Sequence, residues 1–255
     1  MIFADSHVHL YAPEYDADRE AVIDRSISAG VEILMLPDID SSCRTSMLEL
    51  AKAHPGSCFP MLGIHPTSVK ENYKDELKLL DCSIEQEKVF AIGECGIDLY
   101  WDKTFEAQQE IVFRHQADMA LKYDLPLVVH SRKSLNELIR ILKDYKNSPL
   151  KGVFHCFPGN APEALLLAAM GFYIGIGGVL TFKNSGLQEV VKQLPPEHIV
   201  LETDGPYLAP TPHRGKRNES SFIPLIAEKI AELKNIPIAD IADVTTQNVR
   251  KLFKV

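Results

Sequence analysis

The chain has 255 residues, 45% hydrophobic and 24% charged, with a formal net charge of −8. This is ordinary globular material, long enough for one large core, and since α/β barrels of about 200–250 residues are commonly one domain, residues 1–255 are expected to form a single domain. The acidic balance argues against a broad cationic surface, so a polyanionic partner would have to be held locally, by a metal site and a few arginines.

Taken in order, short β-type runs at 2–9, 33–39, 58–65, 89–97, 125–131, 152–157, 172–178 and 199–204 alternate with amphipathic stretches of helical length. The helical stretches lie at 17–29, 42–54, 75–87, 104–123, 134–145, 161–170, 187–194 and 223–233. Several strand runs are almost wholly apolar, as suits a parallel sheet covered by helices. Ser134 and Glu137 have capping-box spacing, while Gly30 and Gly171 stand where helices should stop. Eight strand-helix units predict a TIM-like (β/α)8 barrel of the α/β class, and 240–253 predicts an extra C-terminal helix. A doubly wound sheet would place a glycine-rich turn after the first strand, where this chain has Ser6-His7-Val8-His9. Residues 164–182 are nearly devoid of polar side chains, but Gly171, Gly175, Gly177 and Gly178 break them, so no membrane span is expected. The same glycines lack the spacing of a phosphate loop.

Barrel enzymes carry their chemistry at the C-terminal ends of strands. Here those ends hold His7 and His9, His65, Glu94, His130, His155 and Asp204, every one of a metal-ligand type. Period-two alternation over 2–9 would place His7 and His9 on one face. His7, His9, Glu94, His130, His155 and Asp204 exceed the needs of one tetrahedral ion, whereas two ions sharing Glu94 as a bridge would use them all. Nitrogen and oxygen donors without thiolate suit zinc, magnesium or manganese. Cys95 and Cys156 adjoin ligands, and strand alternation would turn them into buried packing. Tyr100 and Trp101 would either stack on a base or cover the barrel mouth. Five cysteines without CxxC pairing, and an N-terminus without a basic then apolar leader, lead us to expect a cytoplasmic protein.

Seven ordered stretches carry a resemblance: His7-Val8-His9-Leu10, Gly63-Ile64-His65-Pro66, Gly93-Glu94-Cys95-Gly96-Ile97-Asp98, Val129-His130-Ser131-Arg132, Phe154-His155-Cys156-Phe157, Leu201-Glu202-Thr203-Asp204-Gly205-Pro206-Tyr207-Leu208-Ala209-Pro210, and the basic loop 213–219. Together they are similar to the TatD family of metal-dependent deoxyribonucleases. The resemblance implies a TIM-like barrel and two divalent ions per chain. It also implies hydrolysis of phosphodiester bonds in DNA, as a 3′-5′ exonuclease acting on single strands or 3′ ends. It implies His7, His9, Glu94, His130, His155 and Asp204 as ligands, His65 against a phosphate oxygen, and Arg132, Arg214 and Arg217 on the nucleic-acid backbone. In the expected reaction two ions activate a water, Glu94 bridges them, and Asp204 orients that water and takes its proton. A monomer is expected. Three positions depart from the family pattern: Tyr11 replaces a frequent aspartate, Thr67 a frequent histidine, and Ser220-Ser221 a proline. The same ligands would also serve another amidohydrolase-type metallohydrolase cleaving an amide or ester, although many of those carry a lysine at the end of strand four, where this chain has Glu94. A non-catalytic, metal-stabilised nucleic-acid-binding protein is the third reading.

Overall fold

The computed structural model describes residues 1–255. The strands are β1 (Phe3–Asp5), β2 (Val31–Leu36), β3 (Cys58–Pro60), β4 (Ile92–Asp98), β5 (Leu127–Arg132), β6 (Gly152–Phe154), β7 (Phe172–Ile176) and β8 (Ile199–Leu201). Between and after them run α1 (Arg19–Ser28), α2 (Ser41–Ala53), α3 (Tyr73–Gln86), α4 (Glu106–Tyr123), α5 (Leu135–Leu142), α6 (Ala161–Ala169), α7 (Leu187–Gln193), α8 (Ile223–Lys234) and the extra helix α9 (Ile238–Phe253). Pairing is parallel throughout, in the orders β1-β2-β3 and β4-β5-β6-β7-β8.

Two seams join these sheets into a ring. Leu62 bridges Ile92, with the Gly93 amide donating to the Leu62 carbonyl at 2.7 Å. Val8 bridges Gly205, and Ser6, His9 and Asp204 donate to Leu201, Gly205 and His7 carbonyls, each at 2.9 Å. The cyclic order is that of the TIM-like barrel expected from the sequence.

Most strands are shorter than their apolar runs suggest, and the loss falls mainly at the C-terminal ends. In the run 199–204 the ladder stops at Leu201, because the next three amides are claimed singly: Glu202 by the Ile176 carbonyl, Thr203 by the Asp5 carboxylate, Asp204 by the His7 carbonyl. His7 and His9 likewise lie beyond β1, so the strand alternation predicted for them does not apply; the seam to β8 aims them instead. At Gly96, φ is +138° and a Cβ would collide with the His130 carbonyl, so glycine lets β5 carry His130 close beside β4.

The barrel interior is filled by Ala4, Ile33, Met35, Met61, Ala91, Val128, Val153 and Val200, packed with Val249, Leu252 and Phe253 of α9. Helix α9 therefore stoppers the N-terminal end of the barrel, leaving the opposite end for chemistry. The capping box expected at Ser134 is not formed: that hydroxyl donates to the Ile97 carbonyl and ties α5 to β4. A capping box forms instead at α6, where Asn160 and Glu163 exchange side-chain bonds with each other's amides at 2.8 and 3.0 Å. Asn160→Ala is expected to cost about 1 kcal/mol, seen as a lower urea midpoint at unchanged m-value. The apolar stretch 164–182 divides into the end of α6, a turn at Gly171 (φ +91°) and β7, and no helix is long and apolar enough to cross a membrane.

Candidate metal centre

At the C-terminal end of the barrel one carboxylate gathers five imidazoles. Glu94 Oε2 lies 3.1 Å from His7 Nε2 and 3.7 Å from His9 Nε2. Glu94 Oε1 lies 2.8 Å from His155 Nε2, 2.9 Å from His130 Nδ1 and 3.2 Å from His65 Nε2. Asp204 Oδ1 stands 3.6 Å from His9 and 3.9 Å from His7. The expected ligands thus converge from β4, β5 and the segments after β1, β6 and β8.

Two observations test whether a cation fits. His130 Nδ1 is 3.3 Å from both His65 Nε2 and His155 Nε2, so three ring nitrogens crowd around Glu94 Oε1. The buried Nδ1 atoms of His7 and His155 have no partner. Divalent ions would take up ring nitrogens crowded in this way, and the donor residues fall into three overlapping groups, each with ligand atoms within 4.8 Å of one another: His7 with His155 and Asp204, His7 with His9 and Glu94, and His65 with Glu94 and His130. The donor set fits a divalent metal centre.

The two carboxylates and His7 agree with that fit, while His155 would give up a proton to a bound cation. Burial alone would raise the Glu94 carboxyl, but His155, His65 and His7 outweigh it and hold Glu94 well below the usual carboxylate range. Asp204 is also lowered: against burial act its hydrogen bond to His9 and the charges of His155 and His7. Burial, then His155, pushes His7 down to about 4, keeping it a neutral lone-pair donor. Burial would lower His155 too, but Glu94 overrides it and lifts it to about 10. Two ionised carboxylates therefore stand amid imidazoles inside the protein, a negative focus for a cation.

Orienting partners surround the ligands. Asp98 Oδ2 is 3.0 Å from His130 Nε2, and its Oδ1 accepts the Tyr100 and Trp101 amides at 2.8 and 3.1 Å. The Tyr11 hydroxyl donates to the Pro37 carbonyl at 2.6 Å, so its oxygen receives His9 Nδ1 at 2.9 Å and turns Nε2 toward the carboxylates. Thr67 Oγ1 meets His65 Nδ1 at 2.6 Å. Asp38, paired with Arg44 at 2.7 Å, accepts the Glu94 amide on its carbonyl at 2.9 Å and so braces the central carboxylate. The sequence reading assigned none of these roles. For Asp98 a signal was available, since four residues after Glu94 on one strand is the same face. Glu202 was also passed over; it is fully buried, accepts the Cys156 amide through Oε1, and burial drives its carboxyl up to about 8.

Of the residues expected to touch substrate, His65 and Arg132 line the main cavity, of about 700 Å³, together with Glu94, His155 and Asp204. Arg214 lies over Phe182 in an adjoining pocket. Arg217 is placed elsewhere: its guanidinium is spent on both Asp18 oxygens, at 2.7 and 2.8 Å, and on the Glu14 carbonyl. These bonds pin the loop to the start of α1. Cys95 is buried packing as expected, but Cys156 lines the cavity, because β6 ends at Phe154 and the alternation that would turn it away ends there too. His213 stacks on Phe222, with ring centroids 4.1 Å apart.

Comparison with known proteins agrees with this geometry. The profile of the family described as "TatD related DNase" matches residues 4–254. The chain is 38% identical to the "Uncharacterized metal-dependent hydrolase YabD" of Bacillus subtilis, over the whole of both chains. It is 32% identical to the "3'-5' ssDNA/RNA exonuclease TatD" of Erwinia tasmaniensis, over 98% of this chain and 99% of that one. The crystal structure of YJJV, a TatD homologue of Escherichia coli, superposes with a TM-score of 0.93 at 30% identity, covering 99% of this chain and 98% of the other. An end-to-end match of this kind, on a barrel whose mouth gathers side chains that could hold a metal ion, means that the chain belongs to the TatD family of metal-dependent hydrolases.

Proposed function

We propose that this protein is a deoxyribonuclease of one domain that hydrolyses phosphodiester bonds from the 3′ end of single-stranded DNA, with two divalent ions per chain. The observation that carries the reading is Glu94, whose two oxygens face different histidines: Oε2 toward His7 and His9, Oε1 toward His130, His155 and His65. A carboxylate so divided suits a bridge between two ions, with His7 and His9 on one side and His130 and His155 on the other. Bound there, divalent ions supply Lewis acidity toward a phosphoryl oxygen and lower the pKa of a nearby water.

The remaining work falls to the chain. Asp204 Oδ1, at the His7 and His9 side and held ionised, would orient the attacking water and take its proton. His65, fixed through Nδ1 by Thr67, turns Nε2 toward Glu94 Oε1, from where it would reach an oxygen of a phosphate bound at the centre. Arg132, in the cavity wall, offers a guanidinium fork to the next phosphate. Relatives named as single-strand DNA and RNA exonucleases support this substrate class.

Incubation with single-stranded DNA labelled at one or the other end is the direct test. Mononucleotides should leave a 3′-labelled strand first, in the presence of magnesium, manganese or zinc, and a chelator should stop release. No release with any of the three metals would overturn the nuclease reading.

A further inference from the structure

Beyond the centre itself, the cavity rim carries exposed aromatic side chains that the reaction does not use. Trp101, the only tryptophan of the chain, is 66% exposed and Tyr100 is 52% exposed, although most large apolar side chains of this protein are buried. Their rings meet edge to face at 5.0 Å, and the Arg132 guanidinium lies 4.2 Å from the centroid of Tyr100 and 5.0 Å from that of Trp101. The segment is not a loose tip. The buried Asp98 carboxylate holds both backbone amides while also bonding His130, so the aromatic pair is fastened to a proposed ligand.

Across the barrel, in the loop after β8, Tyr207 is 55% exposed and lines the same cavity. Strands four and eight are half a turn apart in an eight-stranded ring, so the two aromatic groups flank the centre from opposite sides. Tyr207 also lines the adjoining pocket, which holds Arg214 and Lys216. A path thus runs from Trp101 and Arg132, over the candidate metal centre, past Tyr207 to the cations Arg214 and Lys216, on a chain whose overall charge is −8.

Resting on the nuclease reading above, we propose that this rim is a stacking track for a single-stranded polynucleotide. One base stacks on Trp101 while Arg132 meets its phosphate, and a neighbouring nucleotide crosses Tyr207 toward Arg214 and Lys216. Aromatic faces accept any base and do not read the sugar, whereas the cations attract phosphate. A duplex, whose bases are stacked on each other, has no free face to offer.

The lone tryptophan makes the track observable. The metal-loaded protein is titrated with phosphorothioate-linked oligothymidine, the matching oligouridine and an abasic strand of equal length, while tryptophan fluorescence is followed. Saturable quenching by a base-bearing strand and none by the abasic strand is the expected result, and the relative affinities of the two base-bearing strands tell DNA from RNA. In steady-state hydrolysis Trp101→Ala should raise KM about 5- to 150-fold, with the effect on KM rather than kcat, and Trp101→Phe should restore most of the loss. Equal quenching by the abasic strand, or an unchanged KM in Trp101→Ala while DNA is still hydrolysed, overturns the track and leaves the nuclease reading standing. Absence of hydrolysis in the end-label experiment overturns that reading instead.

Discussion

Replacing Glu94 with glutamine is expected to strip the protein of divalent metal and to lower kcat at least about 10²–10³-fold, more than losing one orienting partner of a ligand would cost. The substitution keeps the side chain's volume and one acceptor oxygen, so the surrounding imidazoles stay in place and the fold survives. What disappears is the charge that attracts cations and one of the two oxygens that face opposite sets of histidines. Metal content by mass spectrometry and turnover on single-stranded DNA should therefore fall together, and the chelator-treated variant should unfold somewhat below the chelator-treated parent, because the buried pair of Glu94 with His155 is lost as well. A variant with the parent's metal content and turnover would sink the bridging role. Replacement of His9 alone should be milder, because His7 and Asp204 still face that side of the centre.

The legibility of this centre in the sequence has a physical cause. Ligands at the ends of parallel strands are spaced along the chain by whole strand-helix units, so strand order alone brings Glu94, His130, His155 and Asp204 to one rim. The local argument for His7 and His9 was weaker than it looked: the chain leaves the ladder at Asp5, and hydrogen bonds to Met35, Leu201 and Gly205, far away in sequence, set their direction. Partnerships of that kind leave no local pattern. Arg217 has Asp18, 199 residues earlier, for a partner, which its basic loop does not announce. Tyr11 reads as a departure in the motif until its hydroxyl is found between His9 and Pro37. Ser134 and Asn160 make the same point for helix starts, since both have the right spacing to Glu, and only the second lacks a competing acceptor for its side chain.

The largest effect on the fold is expected from Asp5→Ala, at about 3–5 kcal/mol. Asp5 is fully buried and touches no proposed ligand side chain, yet its carboxylate receives the His7 amide at 3.2 Å, the Thr203 amide at 2.9 Å, the Thr203 hydroxyl, and the Ser220 hydroxyl at 2.7 Å. One side chain thereby fastens the exit of β1, the exit of β8 and the turn that leads into α8. Alanine would remove every acceptor at once and leave two amides and two hydroxyl protons buried without acceptors. Asparagine separates lost hydrogen bonds from lost charge: its carbonyl still accepts the amides, and both hydroxyls can rotate to accept from its NH₂, so a smaller loss of about 1–2 kcal/mol is expected. For a chain of this size the alanine variant should melt roughly 6–20 °C lower. Urea denaturation in chelator measures both variants free of any metal contribution. An alanine variant within about 1 kcal/mol of the parent would mean that ordered water, or the closure bonds of the seam themselves, already hold these segments. If Asp5 does hold them, the alanine variant should also bind metal more weakly in its folded state, because His7 and Asp204 each lie within two residues of an amide that Asp5 holds.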